Sequence, residues 1–166
     1  MKKTILVPTD FSIESLHVVK SLLSRAHEEE LFNIILLSGV HLSDSITELL
    51  FFSRTSLIQS MSNRHFDEAC MVIKNKFSSQ INSMCKDIFT GATQSAFNNY
   101  VEANKIDKAY ISTNYKLQMP SKKSFDILPY IKKSALLIDQ VDWKVETRVT
   151  ERGKLSAIFA NSISSN

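Results

Sequence analysis

The sequence predicts an α/β fold: an open, doubly wound sheet of five parallel strands with helices on both faces. Three observations predict it. Short apolar, β-branched runs alternate with amphipathic helical stretches from the N-terminus to Val141, the pattern of successive strand, helix, strand units. The first two runs, "TILV" (Thr4 to Val7) and "NIILLSGV" (Asn33 to Val40), are apolar at consecutive positions, which suits strands covered on both faces. The chain has 166 residues, 43% of them hydrophobic, enough for one domain with a real core.

Between the first two strands, Ile13, Leu16, Val19, Leu22, Leu23 and Ala26 recur every three or four residues, so a helix is expected with Ser12 as its N-cap and "HEEE" (His27 to Glu30) as a solvated exit. The stretch from Ser45 to Cys85 reads as helical in two parts. In the second part Phe66, Ala69, Cys70, Ile73, Phe77 and Met84 trace an amphipathic stripe. The first, "SITELLFFSRTSLIQS" (Ser45 to Ser60), crowds its apolar residues at Leu49 to Phe52 and at Leu57 and Ile58. The cluster Leu49 to Phe52 reads as core, with a lid or an interface as the alternatives.

The third strand is expected in "KDIFTG" (Lys86 to Gly91). A helix over "TQSAFNNYVEAN" (Thr93 to Asn104) follows, with Ala96, Phe97, Tyr100 and Val101 inward, and then a fourth strand, "KAYIST" (Lys108 to Thr113). After a polar loop from Asn114 to Lys123, "SFDILPYIKKS" (Ser124 to Ser134) predicts a short helix and "ALLIDQV" (Ala135 to Val141) the closing strand. Proline costs about 3 kcal/mol inside a helix, so with Pro129 this helix either begins near Leu128 or is kinked. The domain is thus expected over residues 1–141. An extension over 142–166 adds one strand (Trp143, Val145, Thr147 and Val149 on one face) and one helix (Leu155, Ile158, Phe159 and Ile163). It would belong to the same domain or to a dimer interface.

Charge and composition narrow the function classes. A formal net charge of +3 with both signs interspersed offers no basic stripe, so no nucleic-acid partner is expected. Only Ile5, Leu6 and Val7 stand before Pro8, too few for a signal-peptide core, and no apolar run approaches a membrane span. A cytoplasmic protein with no membrane partner is expected. Cys70 and Cys85 lack metal-ligand spacing and read as reduced, partly buried thiols. His17, His27, His41 and His65 are scattered, and no nucleophile, base and acid set suggests an enzyme. His41, just past the second strand, is the one histidine placed to touch a ligand.

The stretches "KKTILVPTDFSIESLHVVKSLL", "NIILLSGV", "NKIDKAYIST" and "YIKKSALLIDQV" follow one another over Lys2 to Val141 in the order and at the spacings of a universal stress protein, which this sequence resembles. The resemblance implies a Rossmann-like fold of the universal stress protein type, and dimers formed through the closing strand. It also implies a test for ATP, because members that bind it carry a glycine-rich phosphate loop after the fourth strand. Glycine lets backbone N–H groups close on phosphate without a Cβ in the way. This chain has glycine only at 39, 91 and 153. Ser112 and Tyr115 stand where the first two loop glycines belong, and a tyrosine there would occupy the space a phosphate needs.

In nucleotide-binding relatives the aspartate ending the first strand contacts the nucleoside, and Asp10 stands at that position, at the carboxyl rim where open α/β sheets bind ligands. The competing reading is that Asp10, with Ser12, caps and orients the first helix, and the missing glycines favour it. A degenerate nucleotide site for ATP or AMP would comprise Asp10, Val40, Ser112, Thr113 and Ser124, with Lys122 and Lys123 in the adjoining loop. The expectation is a non-enzymatic stress-response or regulatory module, a homodimer with unidentified protein partners, without a cofactor. The alternative is a nucleotide-binding switch.

Overall fold

The computed structural model describes residues 1–142. The expected C-terminal strand and helix lie outside the described residues. Element order is β1 (Lys2–Pro8), a 3-10 turn (Glu14–Leu16), α1 (His17–Arg25), β2 (Leu31–Val40), α2 (Ile46–Leu50), α3 (Arg54–Met61), α4 (Arg64–Lys76), β3 (Ile81–Phe89), α5 (Gln94–Ala103), β4 (Lys108–Ser112), β5 (Ser124–Phe125), α6 (Leu128–Lys133) and β6 (Leu137–Val141). Five strands form a parallel sheet in the order β3-β2-β1-β4-β6, and the two-residue β5 pairs antiparallel with the end of β2. This is the expected open α/β sheet.

The consecutive apolar residues of the central strands feed two cores. Ile5 and Val7 of β1 with Phe32, Ile34 and Leu36 of β2 face Leu16, Val19 and Leu23 of the α1 region and Phe66 and Ile73 of α4. Leu6 with Ile35 and Leu37 faces the other way, onto Phe97 of α5 and Ile131 of α6. Because side chains alternate across a strand, an unbroken apolar run is what a strand packed on both faces requires.

Four expectations need correction. The helix before the third strand stops at Lys76, and β3 begins at Ile81, so Met84 and Cys85 lie in a strand. Met84 follows Phe77 by two helical turns and mimicked the stripe. Gln80 and Ile81 instead donate to the carbonyl of Phe77, turning the chain, and Asn33 pairs with Ser83 just beyond a register shift. Cys85 is consequently exposed, whereas Cys70 is half-buried, both thiols being free.

The helix expected over Ser124 to Ser134 spans only Leu128–Lys133. Asp126 accepts the N–H of Leu128 at 2.9 Å and Pro129 sits in the first turn, so the unkinked alternative holds. Ser124 and Phe125 bridge to Val40 and Gly39 instead. That bridge requires Gly39: a Cβ there would stand 2.6 Å from the Phe125 carbonyl oxygen. Finally, Leu49 to Phe52 are not core. Neither α2 nor α3 buries a residue, and Leu50 and Phe51 are exposed.

Candidate functional site

The carboxyl rim of the sheet is organised around the turn that leaves β1. Phe11 has a positive φ of 59°, a conformation uncommon for a large side chain. Its surroundings hold it there. Its N–H donates to Thr9 Oγ1 at 3.1 Å, its carbonyl accepts from Asn63 Nδ2 at 3.1 Å, and its ring packs edge-on to Phe66 at 5.5 Å. The turn leaves Asp10 on one side, 5% exposed, and Ser12 on the other.

Four donors from three residues converge on the Asp10 carboxylate. Oδ1 accepts the N–H of Ser12 at 3.0 Å and its hydroxyl at 2.5 Å. Oδ2 accepts the phenol of Tyr115 at 2.5 Å and the backbone N–H of Gln118 at 2.8 Å. Ser12 Oγ in turn accepts the N–H of Ser15 at 3.3 Å inside the 3-10 turn. The expectation that Ser12 caps the first helix needs correction: the N-cap positions are Ile13 for the 3-10 turn and Leu16 for α1, neither with a side-chain cap, because the 3-10 turn intervenes between Ser12 and the helix. Burial first, and the bond to Asp10 second, raise the Tyr115 hydroxyl above its ordinary pKa. It stays protonated and donates.

The predicted site residues fall into three groups. Ser112 Oγ accepts the N–H groups of Asn114 and Tyr115 at 3.3 and 3.0 Å. It thereby shapes the loop that delivers Tyr115 to Asp10. Thr113 turns to β6, its N–H donating to the Val141 carbonyl at 3.0 Å and its hydroxyl lying 3.3 Å from Asp142 Oδ1. Val40 and Ser124 pair with each other, Val40 being core and the Ser124 hydroxyl 3.0 Å from that of Ser121. Lys123 contributes its carbonyl to the His41 N–H at 2.7 Å and its ammonium to Glu48 at 3.5 Å.

The sequence reading had placed Tyr115 on the phosphate side of the rim, but not its bond to Asp10; Gln118 and Asn63 it missed. Only the pairing of a buried acid with a tyrosine a hundred residues away could have signalled them, and a single sequence does not display such pairs.

Two kinds of space border the rim. A cavity of about 230 Å³ is lined by Asp10, Ser12, Glu14, Asn63 and Gln118 among others. A second, about 420 Å³, lies by His41, Gln94, Phe125, Asp126, Tyr130 and Lys133, with the His41 ring 4.4 Å from that of Phe125. Among the described residues, no group of three or more His, Cys, Asp or Glu is placed to hold a metal ion, and no helix is long and apolar enough to cross a membrane.

No family model matches the chain, and no curated protein does. Solved structures do. The hypothetical protein PH0823 superposes with a TM-score of 0.53 at 17% identity, over 88% of this chain and 99% of that one. The hypothetical protein MJ0577 gives 0.50 at 19%, over 87% and 98%. The universal stress protein UspA from Lactobacillus plantarum gives 0.53 at 12%, over 84% and 97%. The chain therefore has the fold of the universal stress proteins.

Proposed function

We propose that this chain is a non-enzymatic regulatory module of the universal stress protein type, a homodimer that acts in the cytoplasm through protein contacts and binds neither ATP nor nucleic acid. One observation carries the reading: Asp10, the acid that a nucleoside would need, already has both oxygens engaged by Ser12, Tyr115 and Gln118. A ligand at this carboxylate has to displace a phenol and a backbone N–H. The phosphate side has no compensating glycine, since none lies between Gly91 and Gly153. The dimer is supported by β6, which among the described strands pairs with β4 alone and leaves Leu137 exposed at the edge. An unpaired edge invites a second copy.

The test is to release and weigh any small molecule that copurifies, and to titrate ATP and AMP by calorimetry. No ligand and no heat to millimolar nucleotide is the expected result. Stoichiometric binding overturns the reading and makes Asp10, Ser112, Thr113, Val40 and Ser124 a degenerate nucleotide site, bordered by the cavity of about 230 Å³ at Asp10.

A further inference from the structure

The segment after β2 presents apolar side chains to water. Ile46, Leu49 and Leu50 of α2 and Phe51 and Phe52 beyond it are all exposed, Leu50 at 76% and Phe51 at 83%. Immediately beside them lies a groove of about 300 Å³ whose apolar lining is Leu42, Leu49, Phe52 and Leu57. A contiguous patch of this kind on a folded chain marks an interaction site.

We propose that this surface is a self-contact, in which Phe51 of each copy enters the groove beside α3 of the other. The knob and the hole sit on one surface, which is the condition for a closed two-fold contact: what one copy inserts, it also receives. The flanking charges agree with it. Glu48 and Lys123 border the groove as an ion pair 3.5 Å apart, so a second copy seated there meets a rim without net charge. Five such side chains offer on the order of 500 Å² per copy. Two copies then bury roughly 1,000 Å² in total, the lower limit of a specific interface. The position allows both contacts at once, because α3 packs on β3, at the far end of the sheet from β6. The contact thus goes beyond the edge-strand dimer and does not depend on it.

The experiment is sedimentation velocity of the full chain from micromolar to near-millimolar concentration. Phe51→Asp alters an exposed side chain and leaves the fold intact, which circular dichroism checks. It should lower the association constant for one step at least about tenfold and remove the largest species. Leu137→Asp should remove a different step. As a geometric check, chains carrying Phe51→Cys mixed with chains carrying Ser56→Cys, both with Cys70→Ser and Cys85→Ser, should form disulfide-linked pairs under mild oxidation.

Unchanged masses for Phe51→Asp and Leu50→Asp overturn the proposal, as does a full chain that stays monomeric throughout. If Phe51→Asp leaves the mass unchanged but deleting residues 143–166 raises binding of a hydrophobic dye, the patch is covered by the chain's own tail and the self-contact is wrong. Nucleotide binding is not read by these measurements, so the result is separable from that of the Asp10 titration.

Discussion

The phenol of Tyr115 donates to Oδ2 of Asp10 at 2.5 Å, joining two residues 105 positions apart in the chain. The bond closes the loop after β4 onto the turn after β1, over the rim where a ligand of this fold would approach. Tyr115→Phe keeps the ring and removes the donor. A hydrogen bond to a buried charge is worth about 1.5–3 kcal/mol, and a loss of that size in urea denaturation is expected. Asp10→Ala should cost as much or more, because the N–H groups of Ser12 and Gln118 lose their acceptor as well. An unchanged unfolding midpoint for both variants would remove the clamp from the account.

Stability should fall in mild acid because of His17. Burial, then the charge of Lys20, lowers its pKa from 6.5 to about 4, with Glu14 acting the other way. Between those values the unfolded chain binds a proton that the folded chain refuses. The contribution is therefore complete above pH 6.5 and is lost as the pH falls toward about 4. Allowing for solvent screening of a half-buried ring, the effect is on the order of 2 kcal/mol. His17→Gln should flatten the stability profile in that window.

Asn63 serves two elements at once. Its Oδ1 caps α4 through the Phe66 N–H at 2.9 Å, and its Nδ2 holds the Phe11 carbonyl at 3.1 Å. Asn63→Ala should cost about 1–2 kcal/mol. Asn63→Asp keeps the cap but not the second bond, so its melting temperature should lie between those of the other two. Equal stabilities for the Asp and Asn forms would show that the Phe11 turn holds itself.

Gly39→Ala places a Cβ against the Phe125 carbonyl and the Ile127 side chain. Neither can yield without opening the β2–β5 bridge, and overpacking of this kind costs about 1–3 kcal/mol. Limited proteolysis should then cut faster between residues 113 and 127. A cleavage rate like that of the parent would mean the bridge relaxes without opening.

The alternation of apolar runs made the five parallel strands and their covering helices legible, because burial on both faces of β1 and β2 leaves a signature at every position. The edge strand β3 was legible only at its carboxyl half. Asn82 and Ser83 bind Asn33 and face water, so the first half carries polar residues where a buried strand would carry apolar ones. The segment Ser45 to Ser60 misled for the opposite reason. Its hydrophobic residues are there without burial, and no periodicity distinguishes an exposed apolar side chain from a core one. Asp10 stands two residues past the end of β1, at the rim where the strand pattern puts it. Its distant partners, Tyr115 and Gln118, lie in a stretch that has neither helical nor strand pattern to place it.

The position of β1 has a consequence for how the chain is made. Its backbone pairs with β2 on one side and with Lys108 and Ala109 of β4 on the other, and Thr4 exchanges bonds with Asp107 at 2.7 and 2.8 Å. On the ribosome, β1 to β3 emerge and pair first, while the second side of β1 waits for a strand about a hundred residues downstream. Until then β1, whose Ile5, Leu6 and Val7 are fully buried in the finished fold, has a bare edge. That interval, rather than the finished molecule, is when the nascent chain is most open to a chaperone or to a neighbouring nascent copy.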